Sequence, residues 1–114
     1  MPELPEVETV RRGLEQAVVG RRILSVEVGR ERTVRRTSKR ALIDGLAGTT
    51  IKSVWRRGKY LVCSLDSGDA LMVHLRMSGR LLVATRAAPR ELHTHVVLSF
   101  GEEELRFVDP RTFG

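Results

Sequence analysis

From residue 50 onward the apolar residues fall in short runs divided by turn residues, and this pattern constrains the fold more than any other feature of the chain. Thr50–Arg56, Lys59–Leu65, Ala70–His74, Arg80–Thr85, His95–Phe100 and Glu104–Val108 each read as a strand. Asp66-Ser67-Gly68-Asp69 and Gly101-Glu102 read as turns, and Pro89 lies in a loop. Strands this short and this closely spaced predict an antiparallel sandwich or barrel. Only 4% of the 114 residues are aromatic, so the core has to be built from Val, Leu, Ile and Ala. The length predicts one domain.

The first part of the chain follows a different period. Residues 5–19 read as a helix, with Pro5 in the first turn and Glu6 and Glu8 at the positive end of its dipole. Leu4, Val7, Leu14 and Val18 form one apolar stripe, and Gly20 is a natural stop. Residues 23–28 alternate as a strand ending at Gly29, and 30–38 is a basic loop. Lys39–Leu46 reads as a short helix capped by Ser38, with Gly48 just past its end.

The formal net charge is +6, and it is concentrated: residues 21–40 hold eight Arg or Lys against two Glu. Arginine is the better bidentate phosphate ligand. The partner this suggests is an anionic polymer, most simply nucleic acid, and the alternative is a solvated basic face. The single cysteine, Cys63, excludes an internal disulfide and a four-cysteine zinc site, and its apolar neighbours place it in the core. No apolar stretch approaches the ~18 residues of a membrane span. The acidic, proline-containing start is unlike a targeting peptide, so a cytoplasmic location is expected.

Chemistry concentrates at the start, in Met1-Pro2-Glu3-Leu4-Pro5-Glu6. Removal of Met1 would leave Pro2 as a free secondary amine. Such an amine can attack the anomeric carbon of a nucleoside, expel the base and leave a cationic iminium that favours elimination of the 3′ phosphate. Glu3 and Glu6 could serve as acid/base groups, and the helix start would favour an anion. Read by spacing alone, the same residues are first of all an ordinary acidic helix start, since Pro and Glu are common there. If Met1 stays in place, the Pro2 nitrogen is an amide and cannot attack.

Further along, Lys59 sits in the basic turn Arg57-Gly58-Lys59-Tyr60, where it could meet a phosphate or simply be solvated. His74 could hold a phosphate or satisfy a carbonyl. Met77, between Arg76 and Arg80, could be a wedge for a base stack or a core residue. Arg111 and Phe113 would project the same way from an extended segment, as a hydrogen-bonding and stacking pair for an unpaired base. His74, His93 and His95 could imitate a metal trio, but no carboxylate or Cys spacing supports one, and no metal site is expected.

Together these residues resemble the formamidopyrimidine-DNA glycosylase family. The resemblance is carried by PELPEVETVRRGLE at 2–15, RRGKYL at 56–61, HLRMSGRL at 74–81 and DPRTFG at 109–114, in family order across the chain. The related endonuclease VIII branch typically opens Pro-Glu-Gly-Pro-Glu, so Leu4 favours the first branch. The fold this implies is mainly β, with an N-terminal helix packed on a two-sheet antiparallel β-sandwich. The implied activity is excision of oxidised purines, 8-oxoguanine and formamidopyrimidines, from duplex DNA, followed by β,δ-elimination of the abasic strand. Pro2 would be the Schiff-base nucleophile, Glu3 the general acid/base, and Glu6 its assistant. Lys59 and His74 would contact phosphates. Met77, Arg111 and Phe113 would fill the gap left by the extruded base, with Arg111 pairing to the orphaned cytosine.

Thr112 departs from the family, where many members carry a second Arg. The family also continues into a helix–two-turn–helix domain and a four-cysteine zinc finger, so residues 1–114 correspond to its catalytic N-terminal domain, without a cofactor of its own. The full-length family implies a monomer acting on bacterial DNA in the cytoplasm. The competing expectations are a DNA-binding module without turnover and a β-sandwich with a basic face and no nucleic-acid role.

Overall fold

The structure, a computed structural model, describes residues 4–29, 38–75 and 79–109, with side chains from residue 7 onward. Among the described residues, two helices and seven strands follow in the order α1 (Leu4–Val18), β1 (Ser25–Val28), α2 (Lys39–Leu46), β2 (Ile51–Arg57), β3 (Tyr60–Leu65), β4 (Ala70–His74), β5 (Arg80–Thr85), β6 (Thr94–Ser99) and β7 (Glu103–Val108). The strands form a four-stranded sheet, β1-β6-β7-β5, and a three-stranded sheet, β2-β3-β4. Every pairing is antiparallel. Helix α1 packs on β2 and α2 on β1. This is the expected N-terminal helix on a two-sheet antiparallel sandwich. No described helix is long and apolar enough to cross a membrane.

The core draws on both sheets and both helices, through Val18, Ile23, Leu46, Ile51, Leu61 and Leu105 among others. Val7, Leu14 and Val18 are buried as the stripe requires, while the Leu4 side chain lies outside the described residues. Cys63 is buried too, and burial pushes its thiol up to about 11, so it packs as an apolar group. Ser38 caps α2 as expected, its Oγ accepting from the Ala41 N–H at 3.0 Å.

Strand β1 starts two residues later than the alternation suggests. Ile23 bonds the segment before β2 instead: its N–H donates to Thr49 O at 2.8 Å, and its carbonyl accepts from Gly48 N–H at 2.7 Å. Leu24 then donates to Ser99 O at 2.7 Å, which starts the pairing with β6. The 20–24 segment therefore ties the two sheets together. Gly20, with φ of 87°, makes the turn into it and donates to Ile51 O at 2.7 Å.

The four-stranded sheet holds a crossing. Strand β5 lies at an edge and β6 is two places away, so the connecting residues 86–93 pass over β7. Glu104 and Arg106 of β7 lie beneath that connection, 1% and 3% exposed. Arg106 Nε donates to Glu104 at 2.8 Å, and its other nitrogens donate to the carbonyls of Thr85, Ala88 and Pro89 at 2.8–3.1 Å. Arg90, within the crossing segment, ion-pairs with Glu104 at 3.1 Å and with Glu27 of β1 at 2.6 Å. Two opposite charges placed two apart on a strand share one face, and here the covering loop supplies the remaining acceptors.

Candidate nucleic-acid interface

The described candidate residues gather along one rim of the sandwich. The rim starts at α1, where Glu8 is the centre of a charge cluster. Arg11 donates to it at 2.8 Å, Arg12 at 3.1 Å, and Arg56 of β2 at 3.2 Å. Arg11 also reaches the Val54 carbonyl at 3.2 Å. These contacts fasten the first turns of α1 beside the end of β2. The Arg11 guanidinium above all, with Arg56 and Arg12, holds the Glu8 carboxyl at about 2, against an opposing effect of desolvation. Arg56 also donates to Gly58 O at 3.2 Å, bracing the β2–β3 turn. Gly58 there has φ of 62°, a left-handed conformation that favours glycine.

Lys59 follows Gly58 and is exposed at the tip of this turn. Its neighbour Tyr60 pairs in register with both Arg57 and His74. The Tyr60 and His74 rings meet at 4.9 Å between centroids, tilted by 54°. Lys59 and His74, separate in sequence, thus stand at the same end of the three-stranded sheet, beside α1.

The rim continues through the next turn. Leu75, 3% exposed, anchors the chain leaving β4, and Gly79 N–H donates back to its carbonyl at 2.8 Å. A Cβ on Gly79 would stand 2.4 Å from that same oxygen, so only glycine closes the turn at this spacing. Arg80, next in the chain, pairs with Val108. Asp109 follows, its N–H donating to His93 O at 3.2 Å. The flanks of 76–78 and of 110–114 are therefore neighbours in one hydrogen-bonded path that also carries Lys59 and His74.

Of the candidate residues, Pro2, Glu3, Met77, Arg111 and Phe113 lie outside the described residues, as does the Glu6 side chain; the Glu6 backbone belongs to α1. Two of the arginines have carboxylate partners within the chain. Arg21, counted with the basic segment 21–40, ion-pairs with Glu103 at 2.7 Å and stacks over the Phe100 ring at 4.7 Å, both side chains half-exposed. Arg80, seen as flanking Met77, ion-pairs with Glu91. Glu103 of β7 reaches Arg21 across 82 residues, and Glu91 of the 86–93 connection reaches Arg80 across 11. Residues 30–37, most of the basic loop, lie outside the described residues. Among the described residues, no group of three His, Cys, Asp or Glu is placed to hold a metal.

Sequence reasoning missed the role of Glu8 as a hub. Its spacing to Arg11 and Arg12, three and four residues on, signals the helical part of the cluster. The contact with Arg56 spans 48 residues and has no local signature.

A family model described as the formamidopyrimidine-DNA glycosylase N-terminal domain matches residues 1–114. The formamidopyrimidine-DNA glycosylase of Salinispora arenicola is 58% identical over 118 residues, covering 100% of this chain and 41% of the relative. Among solved structures, the Lactococcus lactis formamidopyrimidine-DNA glycosylase bound non-covalently to DNA containing an AP site superposes with a TM-score of 0.89 at 44% identity, covering 95% of this chain and 41% of that one. MutM in complex with DNA containing carbocyclic 8-oxo-G gives 0.90 at 46% identity, covering 98% and 42%. The chain spans about two fifths of the length of the curated relatives it matches.

Proposed function

The chain belongs to the formamidopyrimidine-DNA glycosylase family, and on that footing we propose that the protein carrying it is a bifunctional DNA glycosylase and AP lyase that excises oxidised purines from duplex DNA. The observation that supports this best is the single rim: the end of β2, Lys59, His74 and the flanks of 76–78 and 110–114 follow one another along hydrogen-bonded neighbours. A continuous rim is what a duplex needs if one side is to hold phosphates and the other to occupy the space of an extruded base.

In this reading Pro2, freed of Met1, attacks C1′ of the damaged nucleotide. The C1′–N bond breaks, the base leaves, and the iminium between Pro2 and C1′ acts as the electron sink for β- and then δ-elimination. Glu3 moves the proton at the sugar ring oxygen and Glu6 supports it. Lys59 and His74 hold the phosphates flanking the reacting sugar. Met77 and Phe113 fill the vacated stack, and Arg111 hydrogen-bonds the orphaned cytosine. The domain needs no cofactor for these steps. The zinc finger that the family resemblance implies belongs to the rest of the protein, which acts as a monomer on DNA in the bacterial cytoplasm.

Borohydride trapping tests the reading. Full-length protein, with removal of Met1 verified by mass spectrometry, is expected to form a covalent adduct with an abasic-site duplex. Pro2→Gly, which exchanges the rigid secondary amine for a flexible primary one, is expected to lower the trapping rate by about a hundredfold, while duplex binding persists. Binding without an adduct at a verified Pro2 terminus would make the protein a damaged-DNA-binding module. Undiminished trapping by Pro2→Gly would show that the proline ring amine is not required, and peptide mapping of the adduct would then assign the Schiff base to the new N-terminal glycine amine or to a lysine.

A further inference from the structure

His95 has no role in the chemistry above, yet its placement is specific. It is 6% exposed, and it is the extra residue of a β-bulge: Thr94 pairs with Val108 and Val96 with Phe107, leaving His95 without a register partner. Bulges re-aim a side chain at the local cost of ladder bonds. Here the backbone carbonyl of His95 accepts from Gly29 N–H at 2.7 Å, while its Nε2 lies 2.7 Å from Asp109 O. A carbonyl only accepts, so Nε2 carries the proton and donates. His93 completes the arrangement: with φ of 69° it presents its own carbonyl to Asp109 N–H. Both backbone groups of Asp109 are thus held by the His93–His95 segment.

The position of Asp109 gives this clamp its meaning. Strand β7 ends at Val108, and the residue after Asp109 is Pro110, which has no N–H to continue a ladder. The side chain of His95 therefore substitutes for strand pairing at Asp109, two residues before Arg111 in the sequence. We propose that His95 is a positioning residue: by donating from Nε2 to Asp109 O it fixes the residue from which the segment carrying Arg111 continues, and thereby supports discrimination of the base opposite the lesion. This rests on the reading of Arg111 given above.

The test uses full-length protein and duplexes holding a tetrahydrofuran abasic analogue opposite either cytosine or adenine. The wild type is expected to prefer cytosine, and Arg111→Ala to abolish that preference. His95→Leu is expected to reduce the preference about tenfold, the scale of one well-placed hydrogen bond, and His95→Gln, which keeps a donor, to restore most of it. Borohydride trapping rates on a natural abasic-site duplex, at saturating protein, should stay within about twofold of wild type, since a positioning defect acts on binding discrimination rather than on the chemical step. An unchanged preference in His95→Leu, where Arg111→Ala abolishes it, overturns the positioning role alone. An unchanged preference in Arg111→Ala overturns the reading of Arg111 and this inference with it. If His95→Leu fails to fold, nitrogen NMR of the wild-type imidazole decides: an Nε2–H tautomer, free and DNA-bound, supports the clamp, and an Nδ1–H tautomer overturns it.

Discussion

Glu8 shows what one carboxylate can organise. Three guanidinium groups from two elements converge on it, and its carboxyl is held at about 2 against an ordinary value of 4.5. A depressed carboxylate stabilises the fold fully above its unfolded value and loses that contribution as pH falls through its folded value. The difference in urea midpoint between wild type and Glu8→Gln is therefore expected to be constant above pH 4.5 and to shrink as pH falls toward about 2. A midpoint difference that persists undiminished at the acid end would show that Glu8 acts through packing rather than charge. High salt should weaken the same difference only in part, because the cluster is half-shielded by α1 and β2. A helix-start glutamate had a local explanation in the dipole, and that explanation concealed its larger use as the joint between α1 and the β2–β3 turn.

At the scale of elements, the crossing over β7 is the feature that sequence pattern could not reveal. Periodicity located each strand to within about two residues, because alternation and turn residues are local signals. Strand order is not local: nothing in 80–85 or 94–99 says that β7 lies between them. Glu104 and Arg106 are charged residues of one strand face and are nonetheless buried, because a loop lies on top of them. Arg106→Met is expected to destabilise the domain by about 3–5 kcal/mol, since it leaves Glu104 buried with one partner fewer and three loop carbonyls unbonded. Chemical denaturation measures this, and a loss below about 1 kcal/mol would mean that Arg90 alone suffices. At the site, likewise, the motif segments were legible as motifs, whereas their convergence on one rim depended on the Tyr60–His74 and Arg80–Val108 registers.

For the whole molecule, charge that remains on the outside matters more than the total of +6. Arg21, Arg56, Arg80, Arg90 and Arg106 are paired with carboxylates, so they contribute little to a field at the rim. Duplex affinity of the full-length protein is expected to fall steeply with salt, and Lys59→Ala to lower the slope of log K against log salt by about one, with a similar loss on damaged and undamaged duplexes. An unchanged slope would remove Lys59 from the phosphate contacts. The tie at 20–24 and the distant partner of β1 also dictate an order of assembly. Strands β2, β3 and β4 follow one another as hairpins, and β6 and β7 meet across the short Gly101 turn, so both can form as soon as they leave the ribosome. Strand β1 is made early but must wait for β6, Ser25 pairing with Ser99. Helix α1 can dock on β2 as soon as that strand is made, so within the amino-terminal quarter of the domain it is β1 alone that is synthesised early and held only after β6 has followed.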